Sequence, residues 1–216
     1  PGVTHAIASG SLPGLGGRSN DIEIEGKPIE NAATPPRATM DVHTPGYLAA
    51  IGLPIIQGRA FNAADGEAGN EVAVVTNGFA AKYWPGQSAI GSRFRILQGR
   101  ERKPGPWLSV IGVTGDIVQR PQDVDSPPLA YLPYRKDAWG GMTLLLRTTV
   151  EPASLASQVR AAVQSLDQDL PLFQKRVYLF RRCARQCQQR LPRRHGGVNP
   201  GLPRMHSHQR FQFPEQ

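Results

Sequence analysis

The chain has 216 residues, enough for one large or two small domains with a real core. Its formal charge of +8 would ordinarily suggest nucleic acid or an anionic surface as partner. The distribution argues otherwise. Ten of the 25 basic residues and one of the 17 acids lie in 175–216, so residues 1–174 carry 15 basic and 16 acidic side chains and are nearly neutral.

Residues 3–9, VTHAIAS, read as a short strand with Val3, His5 and Ile7 on one face. A glycine-rich loop, GSLPGLGGRSN, follows. Ile22-Glu23-Ile24-Glu25 alternates as an edge strand would, and Gly26-Lys27-Pro28 turns the chain. Residues 31–38 form a connector, and Arg37 to His43 a strand. The best-punctuated stretch is 42–96. There Thr44 is expected to cap a helix, with Pro45 in its first position, Tyr47, Leu48 and Ile51 at helical spacing, Gly52 just past the end and Pro54 blocking continuation.

Ile55-Ile56 is a strand ending at Gly58, Asn62 caps a turn after Phe61, and 65–70 is an exposed polar loop. Val72-Ala73-Val74-Val75 has the signature of a buried strand. Asn77 is expected to cap a second helix with Phe79, Ala80, Tyr83 and Trp84 on one face, stopped by Pro85-Gly86. Residues 92–97 alternate as a strand whose hairpin partner is 107–113. Residues 120–128 are a loop, and 129–134 and 142–148 are strands. Pro152 opens the clearest helix, with Leu155, Val159, Ala162, Val163 and Leu166 in one stripe expected to be buried. Pro171-Leu172-Phe173 then returns toward a sheet, so 142–174 reads strand-helix-strand. The body is mixed α/β with short strands. Residues 175–216 have no sustained period and read as a disordered basic tail.

No constellation in the sequence specifies catalysis. Gly14-Leu15-Gly16-Gly17-Arg18-Ser19 resembles a phosphate loop, but Ser19 stands at the third position and a strand follows instead of a helix, which favours a flexible turn. Asp21, Glu23 and Glu25 share a strand face and suit a solvated edge better than a cation site, because calcium ligands come from a loop around the ion. Asp123 with Asp125, and Asp167 with Asp169, read as a surface loop and a helix end. Asp116 follows a buried strand and suits turn capping. His5 and His43 have no adjacent nucleophile or acid in sequence. Cys183 and Cys187 with His195, His206 and His208 have the wrong spacing for a zinc finger. Catalytic, cofactor and metal residues are therefore expected to be none. With both cysteines in the tail, the body needs no disulfide, which is compatible with an oxidising compartment. No run approaches the roughly 18 apolar residues of a membrane span. The chain opens PGVTHAIASG, without an initiator Met or a leader pattern, as a piece of a longer protein would.

Several blocks taken together resemble a family. TPGYLAAIGLPIIQGRAF, VAVVTNGFAAKYWPGQSAIGSRFRI, WLSVIGVTGDI, LAYLPY and MTLLLRT, then the Pro152 helix and DQDLPLF, occur in the order seen in the extracytoplasmic core domain of MacB/FtsX-type ABC transporter permeases. The closest look is to the duplicated kind without a nucleotide-binding domain of its own. The resemblance covers about 1–174. It implies an α+β porter-like part from about 1–38 and 140–174, a strand-rich subdomain inserted at about 39–139, and no catalytic residues. The implied location is the periplasmic side of the inner membrane. The implied partners are the permease's membrane helices, a cytoplasmic ATPase and a periplasmic protein. The chain departs from the family pattern in lacking the first membrane helix, the first strand and helix of the porter-like part, and the downstream membrane helices. KRVYLFRRCARQCQQRLPRRHGG reads instead as out-of-frame text. The alternatives are a small-ligand module using the Gly14 loop or a groove around Trp84 and Trp107, a nucleic-acid binder acting through the tail, and a hydrolase built on His43 or Asp116.

Overall fold

Short strands that alternate apolar and polar residues must bury one face, and here they do so by closing on themselves. The structure is a computed structural model that describes residues 2–11, 17–117, 128–135 and 142–169. The strands are β1 Val3–Ser9, β2 Arg18–Ile24, β3 Arg37–His43, β4 Ile55–Gly58, β5 Val72–Thr76, β6 Arg93–Gln98, β7 Lys103–Pro104, β8 Leu108–Thr114, β9 Leu129–Pro133 and β10 Thr143–Thr148. The helices are α1 Tyr47–Ile51, α2 Asn77–Tyr83 and α3 Ala156–Leu166, the last preceded by a 3-10 turn at Pro152–Leu155. The fold class is mixed α+β.

Strand pairing runs β3–β2–β6–β8–β5–β9 and returns from β9 to β3, forming a closed ring. Two pairs in the ring, β3 with β9 and β5 with β8, are parallel, so each is joined by a long crossover connection. Inward positions alternate with outward ones. Ala38, Met40 and Val42 of β3, Ala73 and Val75 of β5, Phe94 of β6, and Ala130 and Leu132 of β9 make one buried cluster inside the ring. Val72, Val74, Leu129 and Tyr131, the alternate residues of β5 and β9, face outward. There they are covered by Tyr47, Leu48 and Ile51 of α1 and by Leu53, Phe61 and Ile7. Burying such a side chain contributes roughly 1.5–3 kcal/mol. β1 and β10 form an antiparallel ribbon attached to the ring through the single register pair Ser9–His43.

Four expectations change. Residues 22–25 do not form an edge: β2 lies between β3 and β6. The alternation is real, but it reflects a barrel wall with one wet face, which has the same period as an edge strand. Thr44 does not cap α1, whose cap position is Gly46 at φ 89°. The Thr44 hydroxyl instead exchanges bonds with β1, accepting from the Ala8 amide at 3.0 Å and donating to the Ala8 carbonyl at 3.3 Å. In α2 the cap is one residue earlier than expected: Thr76 Oγ1 accepts from the Phe79 amide, and Asn77 is the first helical residue. The stripe on α3 is not buried. Leu155 is buried, Val159 and Val163 are half-buried, Ala162 is exposed and Leu166 is 84% exposed. Periodicity marks the face that seeks cover, but it cannot supply the cover. Gly52 does end α1 in the left-handed conformation at φ 73°, as its position in the sequence required. Residues 171–173 and 175–216 lie outside the described residues.

Candidate functional site

β3 carries two buried titratable side chains on its outward face, Asp41 and His43. They face outward because Met40 and Val42 face into the ring. Asp41 Oδ1 accepts from the Ser11 hydroxyl at 2.9 Å, while Oδ2 has no partner among the described residues. Burial pushes the Asp41 carboxyl up to about 6, against the opposing pull of the Ser11 bond. His43 is enclosed by aromatic rings. Tyr47 of α1 stacks on it with centroids 4.0 Å apart, Tyr131 of β9 lies at 5.0 Å and Phe61 at 5.7 Å. Among the described residues no side chain bonds either ring nitrogen, and burial lowers the imidazole to about 3 against the opposing pull of the backbone at Thr44 and His43. The ring is therefore neutral at physiological pH. A cavity of about 40 Å³ lies between α1 and Ala60–Phe61, with His43 in its wall. That is room for a water molecule, not for a substrate.

The other sequence candidates do not converge on this place. His5 stands on β1 with Nδ1 3.3 Å from the Thr4 hydroxyl, four residues from the Ser9–His43 pair. Among the described residues no serine or acid bonds to His43 as the base of a hydrolase's base–nucleophile pair would require. Asp116 accepts from the Gly78 amide at 2.6 Å, at the start of α2. Its carboxylate is a cap, as turn capping predicts. Asp167 closes the end of α3 and accepts from the Asp169 amide at 2.9 Å, which makes this pair a helix end. Gly14 to Gly16, Asp123, Asp125, Cys183, Cys187, His195, His206 and His208 lie outside the described residues. Gly17 is described: a Cβ there would fall 2.3 Å from the Met40 carbonyl oxygen, and Arg18 and Ser19 already belong to β2. Among the described residues the loop is followed by a strand, not a helix. Among the described residues no three His, Cys, Asp or Glu side chains gather to hold a metal ion.

Asp21, Glu23 and Glu25 are set in a row of ion pairs across the barrel wall. Glu23 faces Arg95 in register and receives two bonds at 2.9 and 3.0 Å. Glu25 receives Arg93, whose guanidinium holds that carboxyl below the usual range. Asp21 is shared by Arg37 and Arg102 at 3.1 and 2.9 Å. Trp107 lies under Arg95, 4.4 Å from the guanidinium carbon to the ring centroid. Trp84 is buried with the inner cluster, so the two tryptophans do not flank a shared groove. The larger of the two best-formed concavities, about 170 Å³ beside Thr44, Pro45, Ala63, Asp65, Pro133, Tyr134 and Arg135, is also below the roughly 300 Å³ of an ordinary ligand pocket. Sequence reading misses Asp65, because 65–70 reads as an exposed polar loop. It is buried, takes a two-pronged bond from Arg59 and accepts from the Asn62 amide. The Arg59 guanidinium holds its carboxyl below the ordinary range. The spacing Arg59-x5-Asp65 was the available signal, but only a folded loop brings the two together.

A family model, the MacB-like periplasmic core domain, matches residues 15–165. The chain belongs to that family. Among solved structures it is similar to the periplasmic region of MacB from Actinobacillus actinomycetemcomitans, at 16% identity and TM-score 0.51, covering 76% of this chain and 68% of that one. A domain of a putative permease protein from Porphyromonas gingivalis matches at 20% identity and TM-score 0.48, over 78% and 72% of the two chains. The extracellular domain of the noncanonic ABC-type transporter YknZ from Gram-positive bacteria matches at 18% and 0.46, over 74% and 70%. A search of curated proteins finds no match. Of these, the first likeness supports the fold assignment, and the family match carries the identification.

Proposed function

We propose that this chain is a non-enzymatic extracytoplasmic domain of an ABC-transporter-type permease, on the periplasmic side of the inner membrane, which couples movement of membrane helices to export or to a partner protein. The observation that carries this reading is the family match over residues 15–165. No helix among the described residues is long and apolar enough to cross a membrane, so the membrane helices of this reading belong to other parts of the permease. The cytoplasmic ATPase supplies the energy, and a periplasmic protein is the further partner.

In this reading the ribbon and α3 are the porter-like part that receives the motion, about 1–38 and 140–174, and about 39–139 form the inserted subdomain. The pairing of β2 with β6 supports moving the first boundary toward Gly17. The ring is suited to move as one body, because it has no free edge and its outer wall is tied by Arg–Glu pairs. The ribbon is joined to it by few bonds, chiefly those between Ala8 and Thr44 and from the Gly10 amide to the Val42 carbonyl, which flank the Ser9–His43 register pair. The test is a pair of cysteines at Ala8 and Thr44 in an intact permease bearing this domain. Oxidation is expected to suppress transport-linked ATP hydrolysis, and reduction to restore it. A locked permease that works as well as the unlocked one refutes the coupling. The reading frame after about codon 174 provides a second check: an apolar span of about 20 residues is expected in a neighbouring frame.

A further inference from the structure

We propose that α1 is an acid-sensitive lid over His43, and that protonation of His43 releases α1 from the barrel wall while the ring itself stays closed. The lid is a five-residue helix, far too short to persist without its packing. Its principal ring contact below is the Tyr47–His43 stack at 4.0 Å. It is bounded by two joints, Gly46 at φ 89° and Gly52 at φ 73°. The cavity of about 40 Å³ runs between α1 and Ala60–Phe61 with His43 in its wall, so a small outward movement of the helix admits water to the ring.

Among the described residues no carboxylate bonds to His43. α1 carries no acid in its first turn and no base in its last, and its titratable group is Tyr47. β9 presents Tyr131. β1 carries only His5. The segment holding Phe61 has its charges committed, Arg59 to Asp65 at 2.6 and 3.0 Å. On β3 the acid is Asp41, two residues before His43 on the same face, and its Oδ1 accepts from the Ser11 hydroxyl. Charging His43 with the lid shut therefore places a cation in a buried site where no carboxylate among the described residues bonds to it and the backbone at Thr44 and His43 offsets only part of the cost of burial, and opening the lid hydrates it. Asp41 stays covered by Ser11 when only α1 moves, so lid opening is linked to one proton. The ratio of open to shut lid accordingly rises about tenfold per pH unit below 6.5, the ordinary histidine value.

Hydrogen exchange on the full chain tests this, with rates corrected for the pH dependence of intrinsic exchange. The amides of Ala50, Gly52 and Leu53, which bond to Gly46, Ala49 and Leu48, report on the lid, and those of β5 report on the ring. Between pH 6 and pH 5 the lid amides are expected to lose about tenfold in protection while β5 keeps its own. In His43→Phe, which keeps a flat ring, the loss is expected to vanish. Equal losses at lid and ring, no loss at the lid, or a loss retained in His43→Phe each overturn the proposal. If His43→Phe does not fold, nitrogen NMR of the wild-type ring decides. Titration in step with lid exposure supports the lid, and titration near 6.5 with the lid amides still protected overturns it.

Discussion

Two glycines with nearly the same backbone conformation should respond very differently to a methyl group. Gly52 and Gly58 have φ of 73° and 71°. A non-glycine residue in that region costs roughly 1–2 kcal/mol, offset by about 0.4–1 kcal/mol because alanine restricts the unfolded chain. At Gly52 an added Cβ meets nothing within 4 Å, so Gly52→Ala should cost about 1 kcal/mol. At Gly58 the Cβ would fall 2.2 Å from the Ile111 carbonyl oxygen and 2.9 Å from Ile90 Cδ1. The Ile90 tip can turn aside. The carbonyl cannot, because it accepts from the Arg59 amide at 2.9 Å and Gly58 itself pairs with Gly112. Relief means displacing β4 from β8, adding about 2–3 kcal/mol of strain and weakened bonding. Gly58→Ala should thus cost about 3–4 kcal/mol in all. Urea unfolding at pH 7.5, followed by the fluorescence of buried Trp84, reads both variants on the full chain. Equal midpoint shifts would refute the reasoning, since they would mean that β4 does not approach β8 as described.

Other variants address other parts of the molecule. Asp116→Ala removes the cap on the Gly78 amide and should cost about 1–2 kcal/mol in the same urea assay, with an unchanged slope. Phe79→Ala empties a fully buried position beside Tyr83, Trp84 and Phe94 and should cost about 3–5 kcal/mol. The Glu23–Arg95 pair is about a quarter exposed, so a double-mutant cycle should give a coupling below about 1 kcal/mol that shrinks with added salt. A much larger, salt-insensitive coupling would show that the outer wall is not in water.

The strands were legible in the sequence because each carries its own instructions. Val72 to Val75 is apolar throughout and is buried on both sides, by the inner cluster and by α1 with its neighbours. Gly52 sits where only a left-handed residue can end α1. What local pattern could not give was the closing of the ring. A wall strand wet on one side and an edge strand alternate alike, so Ile22 to Glu25 was read as an edge, although its acids face Arg95 and Arg93 on a paired neighbour. Caps failed where a side chain had a distant use: Thr44 bonds Ala8, which is remote in sequence. Asp65 was unreadable for the same reason. Of the Asp41–His43 pair only the histidine stood out, and as a catalytic candidate, because sequence does not show which strand face is covered.

The pair makes a sharper prediction about pH than either residue does alone. His43 falls from 6.5 to about 3 on folding, so between those values the unfolded chain binds the extra proton. Its contribution is complete above pH 6.5 and is lost on acidification at roughly 1.4 kcal/mol per pH unit. Asp41 rises from 3.8 to about 6, so between those values the folded chain binds the extra proton and acidification stabilises by a similar slope. From about pH 6 to pH 4 the two slopes oppose each other, and global stability should be nearly flat. Below about pH 4 the Asp41 gain is exhausted while His43 continues to lose. Asp65, held low by Arg59, adds its own loss as it is protonated. Urea midpoints measured from pH 7 to pH 4 should show the plateau. Asp41→Asn should expose the histidine slope, so that stability falls on acidification, and His43→Phe should expose the opposite slope. A wild-type slope near 1.4 kcal/mol per unit across the plateau would mean that only one of the two groups is buried as described. A plateau in global stability alongside falling protection of α1 would separate the lid from the ring, because the lid uncovers His43 alone and complete unfolding uncovers both.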